Sequence, residues 1–308
     1  DVVDVSKDEE GYITSLKLKD DSEVKADLFI DCTGFKSLLQ DHDKLDMTGR
    51  LFTNTAVVHP IQYDDIENEM IPYTRCDSVD HGWIWTIPTQ DRRGSGMVFN
   101  RDVTDPEEAK QYFADYWNSY RKISSENRID PENCRIINWD PFIAEKPWNK
   151  NVVGIGMAGA FVEPMEANSL YVAQACIQLT NRIINRAKEA DEVIGPSSIN
   201  AYNRNMCKLE DGIADFIAYH FTLTDREDTP FWKKQKQYGI DHNHKDSSSH
   251  IQYFQYQSQN DFMHLDPFTI DNLELFKTIS FLKSNFRMRS DKFITSSSVP
   301  GFHPKNAK

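Results

Sequence analysis

The segment over residues 163–169 holds the residue types that are best suited to chemistry in this chain. It reads EPMEANS and places two carboxylates, Glu163 and Glu166, before two short polar residues, Asn168 and Ser169. A carboxylate in a water-poor pocket can take up a proton or stabilise a cation. Peptide N–H groups at a helix start attract anions. Carboxylates near a helix start also occur simply to balance the helix dipole, so the segment alone leaves both interpretations open.

The residues before this segment predict a buried strand that ends in a tight turn. Residues 152–161 read VVGIGMAGAF, which is apolar, rich in small residues and free of charge. Gly154, Gly156 and Gly159 allow the backbone to bend or a ligand to approach it closely. This stretch therefore places the polar segment directly after a glycine turn.

The residues after the segment predict an amphipathic helix. From about Leu170, apolar or small side chains recur at helical spacing, and Asn168 or Ser169 is the expected N-cap. The predicted buried stripe consists of Ala173, Cys176, Ile177, Thr180, Ile184 and Ala187. A strand, a glycine turn and a helix start in this order can hold a phosphate, the edge of a flavin or a halide.

The stretch GIGMAGAFVEPMEANSL resembles the strand–turn–helix segment of flavin-dependent halogenases of the tryptophan halogenase family. Three further stretches agree with that family in the expected order. Residues 27–39 (DLFIDCTGFKSLL) resemble its second flavin-domain motif, and residues 82–88 (GWIWTIP) match its W-x-W-x-I-P signature. Residues 202–232 resemble its helical segment that ends in R-x-D-T-P-F-W. Four matches in order over most of the chain identify a member of this family.

The resemblance implies a mixed α/β (α+β) fold. It implies a three-layer FAD-binding domain like that of flavin monooxygenases, with an inserted antiparallel sheet and a C-terminal helical region. The expected FAD-binding domain comprises residues 1–40 and 151–192. Residues 41–150 are expected to form the inserted substrate sheet, and residues 193–308 a helical substrate-binding region.

The resemblance also assigns roles to individual residues. Glu166 is expected to be the catalytic carboxylate, which accepts the ring proton or stabilises the cationic intermediate, and Glu163 is expected to be structural. Asn168 and Ser169 are expected to bind a halide, and no metal is expected. The expected FAD-binding residues are Asp31, Gly34, Gly156, Ala158, Gly159, Phe161, Trp83, Trp85 and Pro88.

The implied reaction uses reduced FAD from a separate flavin reductase. With O2 and chloride, bromide or iodide it yields hypohalous acid, which halogenates an electron-rich aromatic substrate of indole or phenol type. The alternative is aromatic hydroxylation by a flavin monooxygenase of the same fold. The family usually has Ser and often Thr where this chain has Ala167 and Asn168, so tryptophan itself is not assured as the substrate. The Gly-rich FAD turn and the active-site lysine of the family would precede Asp1, and we expect the protein to be longer.

Composition narrows the classes of partner. The chain has 308 residues and a formal net charge of −13, which disfavours nucleic acid and anionic membranes as partners. No run of apolar residues is long enough to span a bilayer. The five cysteines are odd in number and widely spaced, as is typical of reduced thiols in a cytoplasmic protein. The sequence leaves open the substrate, the halide preference and the oligomeric state, a homo-oligomer included. The histidines in residues 241–244 are interpreted as part of a surface loop.

Overall fold

The computed structural model describes residues 1–40, 43–222, 224 and 226–241, and the fold below is that of these residues. They contain fourteen strands: β1 (Val2–Lys7), β2 (Ile13–Leu18), β3 (Glu23–Val24), β4 (Phe29–Asp31), β5 (Lys44–Asp46), β6 (Thr55–Ile61), β7 (Arg75–Val79), β8 (Gly82–Pro88), β9 (Arg93–Phe99), β10 (Arg135–Asn138), β11 (Phe142–Ala144), β12 (Trp148–Asn149), β13 (Val152–Gly154) and β14 (Ala160–Phe161). The described α-helices are α1 (Ile66–Glu69), α2 (Pro106–Asp115), α3 (Asn168–Ala190), α4 (Pro196–Thr222) and α5 (Pro230–Asp241). This is the mixed α/β class that the sequence predicts.

The chain divides into two compact units. Among the described residues, the first unit comprises 1–40, 43–48 and 141–217, and the second comprises 49–140 together with the described part of 218–241. Residues 242–244 of the predicted surface loop, and everything after them, lie outside the described residues. The predicted assignment of domains to cofactor and substrate remains a prediction.

The first unit contains three small sheets. Strands β1, β2 and β3 form an antiparallel meander, β14, β11 and β5 form a second antiparallel sheet, and β12, β13 and β4 form the third. In the third sheet β13 and β4 run parallel. A small core joins the meander to this parallel pair through Ile13, Leu16, Phe29, Leu39 and Val152.

The sequence predicts a single strand over residues 24–30, and this prediction is wrong. Val24 belongs to β3, which pairs with β2, whereas Phe29 belongs to β4, which pairs with β13. The residues between them, Lys25-Ala26-Asp27, are exposed. Two charged side chains in solvent give this segment no buried face, so the chain bends there and changes sheets.

The second unit is built on a five-stranded antiparallel sheet in the order β10-β6-β9-β8-β7. One face packs against α2, where Tyr112 and Phe113 are buried against strand residues such as Val57 and Met97. Asp105 caps α2 by accepting hydrogen bonds from the peptide N–H groups of the first turn. The sequence predicts strands over residues 55–63, 83–88 and 96–100, and the structure confirms them as β6, β8 and β9.

The sequence also predicts a helix over residues 105–121, and this helix is α-helical only as far as Asp115. Residues 116–120 form a π-helical turn. The wider turn lets two consecutive aromatic residues, Tyr116 and Trp117, both be fully buried. An ordinary α-helical turn would separate these two side chains by about 100°.

Arg226, the first residue of the R-x-D-T-P-F-W motif, links α5 to the turn between β7 and β8. Its guanidinium donates two hydrogen bonds to Asp228, at 3.0 and 2.9 Å. It also donates to Ser78 Oγ at 2.8 Å and to Asp80 Oδ1 at 3.3 Å. The same group lies 5.0 Å from the ring centroid of Trp232. Arg226 therefore fixes the start of α5 to the end of the sheet at β7 and β8.

Within the described residues, no helix is both long enough and apolar enough to cross a bilayer. Over the same residues, no group of three or more His, Cys, Asp or Glu side chains is arranged to hold a metal ion.

We predict that Arg226→Met lowers the free energy of unfolding of the second unit by about 3 kcal/mol, because it leaves Asp80 without its cation. Urea denaturation followed by tryptophan fluorescence measures the change. Arg92→Met is the matched control, since Arg92 also pairs with an aspartate but is half exposed. That control should cost about 0–1 kcal/mol. Equal losses in the two variants would contradict the structural role given to Arg226.

Candidate functional site

Strands β4 and β13 lie side by side and run in the same direction, so their carboxyl ends meet at one edge. Gly154 at the end of β13 is opposite Asp31 at the end of β4. In open α/β sheets, ligands bind beyond the carboxyl ends of parallel strands. The turns that follow these two strands therefore form the candidate site.

Asp31 organises the turn after β4. Its side chain is fully buried. One carboxylate oxygen accepts hydrogen bonds from the peptide N–H and the hydroxyl of Thr33, at 2.9 and 2.7 Å. The other oxygen accepts from the peptide N–H of Leu39 at 2.8 Å. Because these three bonds close the loop around Gly34, Asp31 shapes the backbone, and its contact with FAD remains a prediction.

The turn after β4 contacts the turn after β13. Ser37 Oγ donates a hydrogen bond of 3.0 Å to the carbonyl of Ala158. The rings of Phe35 and Phe161 meet edge to face with centroids 5.0 Å apart. Of the predicted FAD-binding residues, Asp31, Gly34, Gly156, Ala158, Gly159 and Phe161 thus belong to two adjoining turns of the first unit.

The glycine turn has one closely packed side and one open side. A Cβ on Gly159 would lie 2.9 Å from the carbonyl oxygen of Gly154, which is too close for any side chain. Gly156 has φ +65°, and a Cβ there would meet no atom within 4 Å. Only glycine adopts this conformation without strain, and the open space lets a flat group approach the bare backbone. The turn therefore fits a flavin edge.

Helix α3 begins at Asn168, and its N-cap position is occupied by Ala167. The predicted N-cap at Asn168 or Ser169 is wrong. A 3₁₀ turn over Met165–Ala167 runs directly into the helix, and Asn168 Nδ2 donates back to the carbonyl of Met165 at 2.5 Å. Ala167 is left-handed, with φ +53°. That conformation costs a non-glycine residue about 1–2 kcal/mol, and such strain clusters at functional sites.

The two glutamates of the segment differ in what the structure describes. Glu163 is fully buried, and its Oε2 accepts a hydrogen bond of 3.3 Å from the peptide N–H of Met165. This contact agrees with the structural role expected for Glu163. The backbone of Glu166 lies in the 3₁₀ turn, and its side chain lies outside what the structure describes. The catalytic role of Glu166 remains a prediction.

The buried stripe of α3 is displaced from the predicted one. Cys176 and Thr180 are buried as expected, but Ile177 is 55% exposed. The fully buried positions are instead Asn168, Val172, Ala175, Cys176 and Thr180. The start of the helix sets this face, because Asn168 is held inward by its hydrogen bond to the preceding turn.

Helix α4 is tied to β12 by the amide side chain of Asn203. Asn203 Oδ1 accepts from the peptide N–H of Trp148 at 2.8 Å, and Asn203 Nδ2 donates to the Trp148 carbonyl at 2.9 Å. The neighbouring Tyr202 packs edge to face against the Trp148 indole, with centroids 5.2 Å apart. Asn203 thus pairs with β12 as a strand residue would.

Two small cavities lie where α3, α4 and the glycine turn converge. Gly156, Val172 and Glu210 line both. The first has a free volume of about 10 Å³, roughly the space that one water molecule needs. The second is narrower and is also lined by Asn168 and Ser169. The predicted halide residues and the glycine turn therefore share one cavity wall.

Glu210 is the site residue that the sequence reasoning missed. It is only 6% exposed, and burial raises the pKa of its carboxyl to about 8. The signal was present, because Glu210 stands within the apolar stripe of α4. Its neighbours in that stripe are buried, namely Tyr202, Met206, Leu209 and Ile213. Burying a carboxyl at such a position costs free energy unless the group has a hydrogen-bond partner or a counter-ion. A carboxyl that is buried without one is therefore a candidate for function.

The tryptophans of β8 belong to the second unit. The rings of Trp83 and Trp85 are neighbours, with centroids 5.9 Å apart, as two residues on one face of a strand should be. Gly96 on β9 leaves room for the Trp85 indole, since a Cβ there would lie 2.3 Å from that ring. The FAD-binding role expected for Trp83, Trp85 and Pro88 remains a prediction.

We predict that Asp31→Asn lowers the free energy of unfolding by about 1–3 kcal/mol in the absence of any flavin, because an amide cannot accept all three hydrogen bonds. Chemical denaturation of the flavin-free protein measures this. Asp27→Asn is the control, since Asp27 lies on the exposed segment before β4. A full-sized loss that appears only when FAD is present would contradict the loop-shaping role.

We predict that stability falls as the pH rises between about 4.5 and 8, where folded Glu210 keeps its proton and an unfolded glutamate loses it. Glu210→Gln should remove this dependence. At pH values above 8 it should raise the free energy of unfolding by up to about 5 kcal/mol, and below pH 4.5 it should change little. Denaturation across this pH range tests the sign, with the exposed Glu189→Gln as control. A wild-type pH dependence retained in Glu210→Gln would be inconsistent with the buried acid.

The whole described chain has counterparts among known proteins. The family model for tryptophan halogenase matches residues 1–289. Tryptophan 6-halogenase ThaL of Streptomyces albogriseolus is 31% identical over 243 residues, which cover 77% of this chain and 43% of that protein. Tryptophan 7-halogenase RebH of Lentzea aerocolonigenes is 31% identical over 240 residues, covering 76% of this chain and 42% of RebH.

A solved structure agrees with these relatives. Xcc4156, a flavin-dependent halogenase from Xanthomonas campestris, superposes with a TM-score of 0.66 at 29% identity and covers 76% of this chain and 45% of its own. The chain thus spans less than half the length of each of these three relatives. With a family match over most of its residues and the FAD-binding fold of the halogenase structures, this chain belongs to the tryptophan halogenase family.

Proposed function

We propose that the protein is a halogenase that depends on reduced FAD and halogenates an electron-rich aromatic substrate of indole or phenol type. The observation that carries this proposal is one shared cavity. The open glycine turn and the first residues of α3 line it together. A flavin edge and a halide would then be neighbours, as a halogenase requires.

The flavin would be held at the carboxyl edge of β4 and β13. The residues proposed to hold it there are those of the two adjoining turns, with Gly156 providing bare backbone. Trp83, Trp85 and Pro88 also remain proposed FAD-binding residues. When bound, reduced FAD would give two electrons and the halide two more, so that O2 is reduced to hypohalous acid and water.

The halide would be held by the peptide N–H groups of Asn168 and Ser169. A helix start offers hydrogen-bond donors and positive potential without needing a lysine. The 23 residues of α3 make its dipole effective. Because Ala167 has no side-chain oxygen, the N-cap residue does not compete with an anion for these donors.

Glu166 is proposed to act on the aromatic substrate. Its carboxylate would stabilise the cationic ring and accept the ring proton. Its backbone lies in the turn directly before α3. Glu163 would hold the same turn in place from within the protein.

A separate flavin reductase is the proposed partner, because the proposed reaction consumes reduced FAD. The proposed location is the cytoplasm. All five cysteines are free thiols, which supports a reducing compartment. Aromatic hydroxylation, the other reaction considered, is not favoured, since the relatives compared above are named as halogenases.

We predict that Glu166→Gln lowers halogenation roughly 10²–10⁴-fold, the usual effect of removing a positioned acid–base group. FAD binding should be unchanged, because the flavin-binding turns remain intact. Brominated product is measured by mass spectrometry and FAD binding by fluorescence titration. The exposed Glu192→Gln serves as control. Wild-type turnover in Glu166→Gln would remove this residue from the mechanism.

The reaction type is tested by supplying FAD, a reductase, O2 and an indole or phenol panel, with and without bromide. The halogenase proposal requires a brominated product that appears only with bromide. A hydroxylated product whose amount does not depend on bromide would establish the alternative reaction instead.

A further inference from the structure

Glu210 stands in a setting that a structural carboxyl rarely occupies. It is more than nine-tenths buried. Burial alone acts on the pKa of this carboxyl: among the described residues, no cation or hydrogen-bond donor offsets the shift. A buried, unpaired carboxylate is strongly unfavourable, so the carboxyl holds a proton instead. A protonated carboxyl is a hydrogen-bond donor.

The position of this donor is informative. Glu210 lines the narrow cavity opposite Asn168 and Ser169, at the positive end of α3. That cavity is too narrow for a whole water molecule while the side chains stay where they are, so a halide can enter it only when the Glu210 side chain moves aside. Glu210 is a buried polar group without a partner, and it lines the same cavity as the start of α3. This placement indicates an anion site independently of the helix dipole.

The described titratable groups around Glu210 are the thiols of Cys176 and Cys207, with the Tyr202 phenol beside the first and the carboxylates of Glu145 and Asp211 beside the second. Of the described residues that line the two cavities, only Cys176 also titrates. Burial raises the pKa of Cys176 to about 12 and also raises that of Cys207 on α4, with Glu210 adding to both shifts. The thiols do not act on Glu210 in return, because they are still neutral when the carboxyl ionises. Glu210 is therefore the group that changes charge first in this cavity.

We propose that the protonation state of Glu210 controls anion binding at the start of α3. Protonated Glu210 rotates about its three side-chain bonds and donates a hydrogen bond to the bound halide. Ionised Glu210 competes with the halide for the peptide N–H groups of Asn168 and Ser169 and repels it. Glu210 is thus a positioning residue for the anion, and this role rests on the proposed halide site.

The test is a bromide titration of the flavin-free protein from about pH 6.5 to about pH 9.5, followed by the broadening of the bromide NMR signal. Wild-type affinity should be constant at the acid end and fall about tenfold per pH unit above pH 8. Glu210→Gln keeps the shape and a donor but cannot ionise, so its affinity should not change with pH. The exposed Glu189→Gln should retain the wild-type profile.

The protonated acid can also be observed directly. Infrared difference spectra of the wild type should show the carboxylic C=O band of a buried acid at neutral pH, shifted by bromide and absent in Glu210→Gln. This measurement does not depend on catalysis or on flavin.

Failure of this role and failure of the proposed function give different results. If bromide binds and the affinity of Glu210→Gln falls with pH as in the wild type, the role of Glu210 is overturned while the halide site stands. If no variant binds bromide at any pH, the halide site and the role of Glu210 are both overturned. The halogenation assay with bromide then decides separately whether the proposed reaction is correct.

Discussion

The site depends on the parallel contact between two short strands, β4 and β13. Because both run in the same direction, the two turns that leave them emerge at one edge. The buried carboxylate of Asp31 accepts three hydrogen bonds that fix the first turn. Gly159 lies so close to the carbonyl oxygen of Gly154 that no side chain fits on it, and this contact fixes the second. The order of the turns and of the helix start follows from these contacts.

Helix α3 adds polarity to a site that is otherwise apolar. It begins directly from a 3₁₀ turn, with a strained alanine at the N-cap, so its first peptide groups lie against the glycine turn. Helix α4, fixed through Asn203, brings one acid against the same residues. The positive end of a helix attracts an anion, and a protonated acid can donate a hydrogen bond to it. Both groups belong to helices that otherwise pack through apolar side chains.

Much of this arrangement could be predicted from the sequence because it is local. The glycine spacing predicts the turn after β13, and apolar periodicity predicts the helices. The features that could not be predicted depend on contacts distant in sequence. The division of residues 24–30 between two sheets depends on β13, more than a hundred residues away. The buried face of α3 depends on the turn that holds Asn168, and the importance of Glu210 appears only when α4 packs against that turn.

The most direct test of this account is a crystal structure of the protein with FAD and bromide, in which anomalous scattering locates the bromide. The account predicts an anomalous peak within hydrogen-bond distance of the peptide nitrogens of Asn168 and Ser169, with the isoalloxazine beside Gly156. A flavin bound away from the carboxyl edge of β4 and β13, or a bromide that avoids the start of α3, would contradict it.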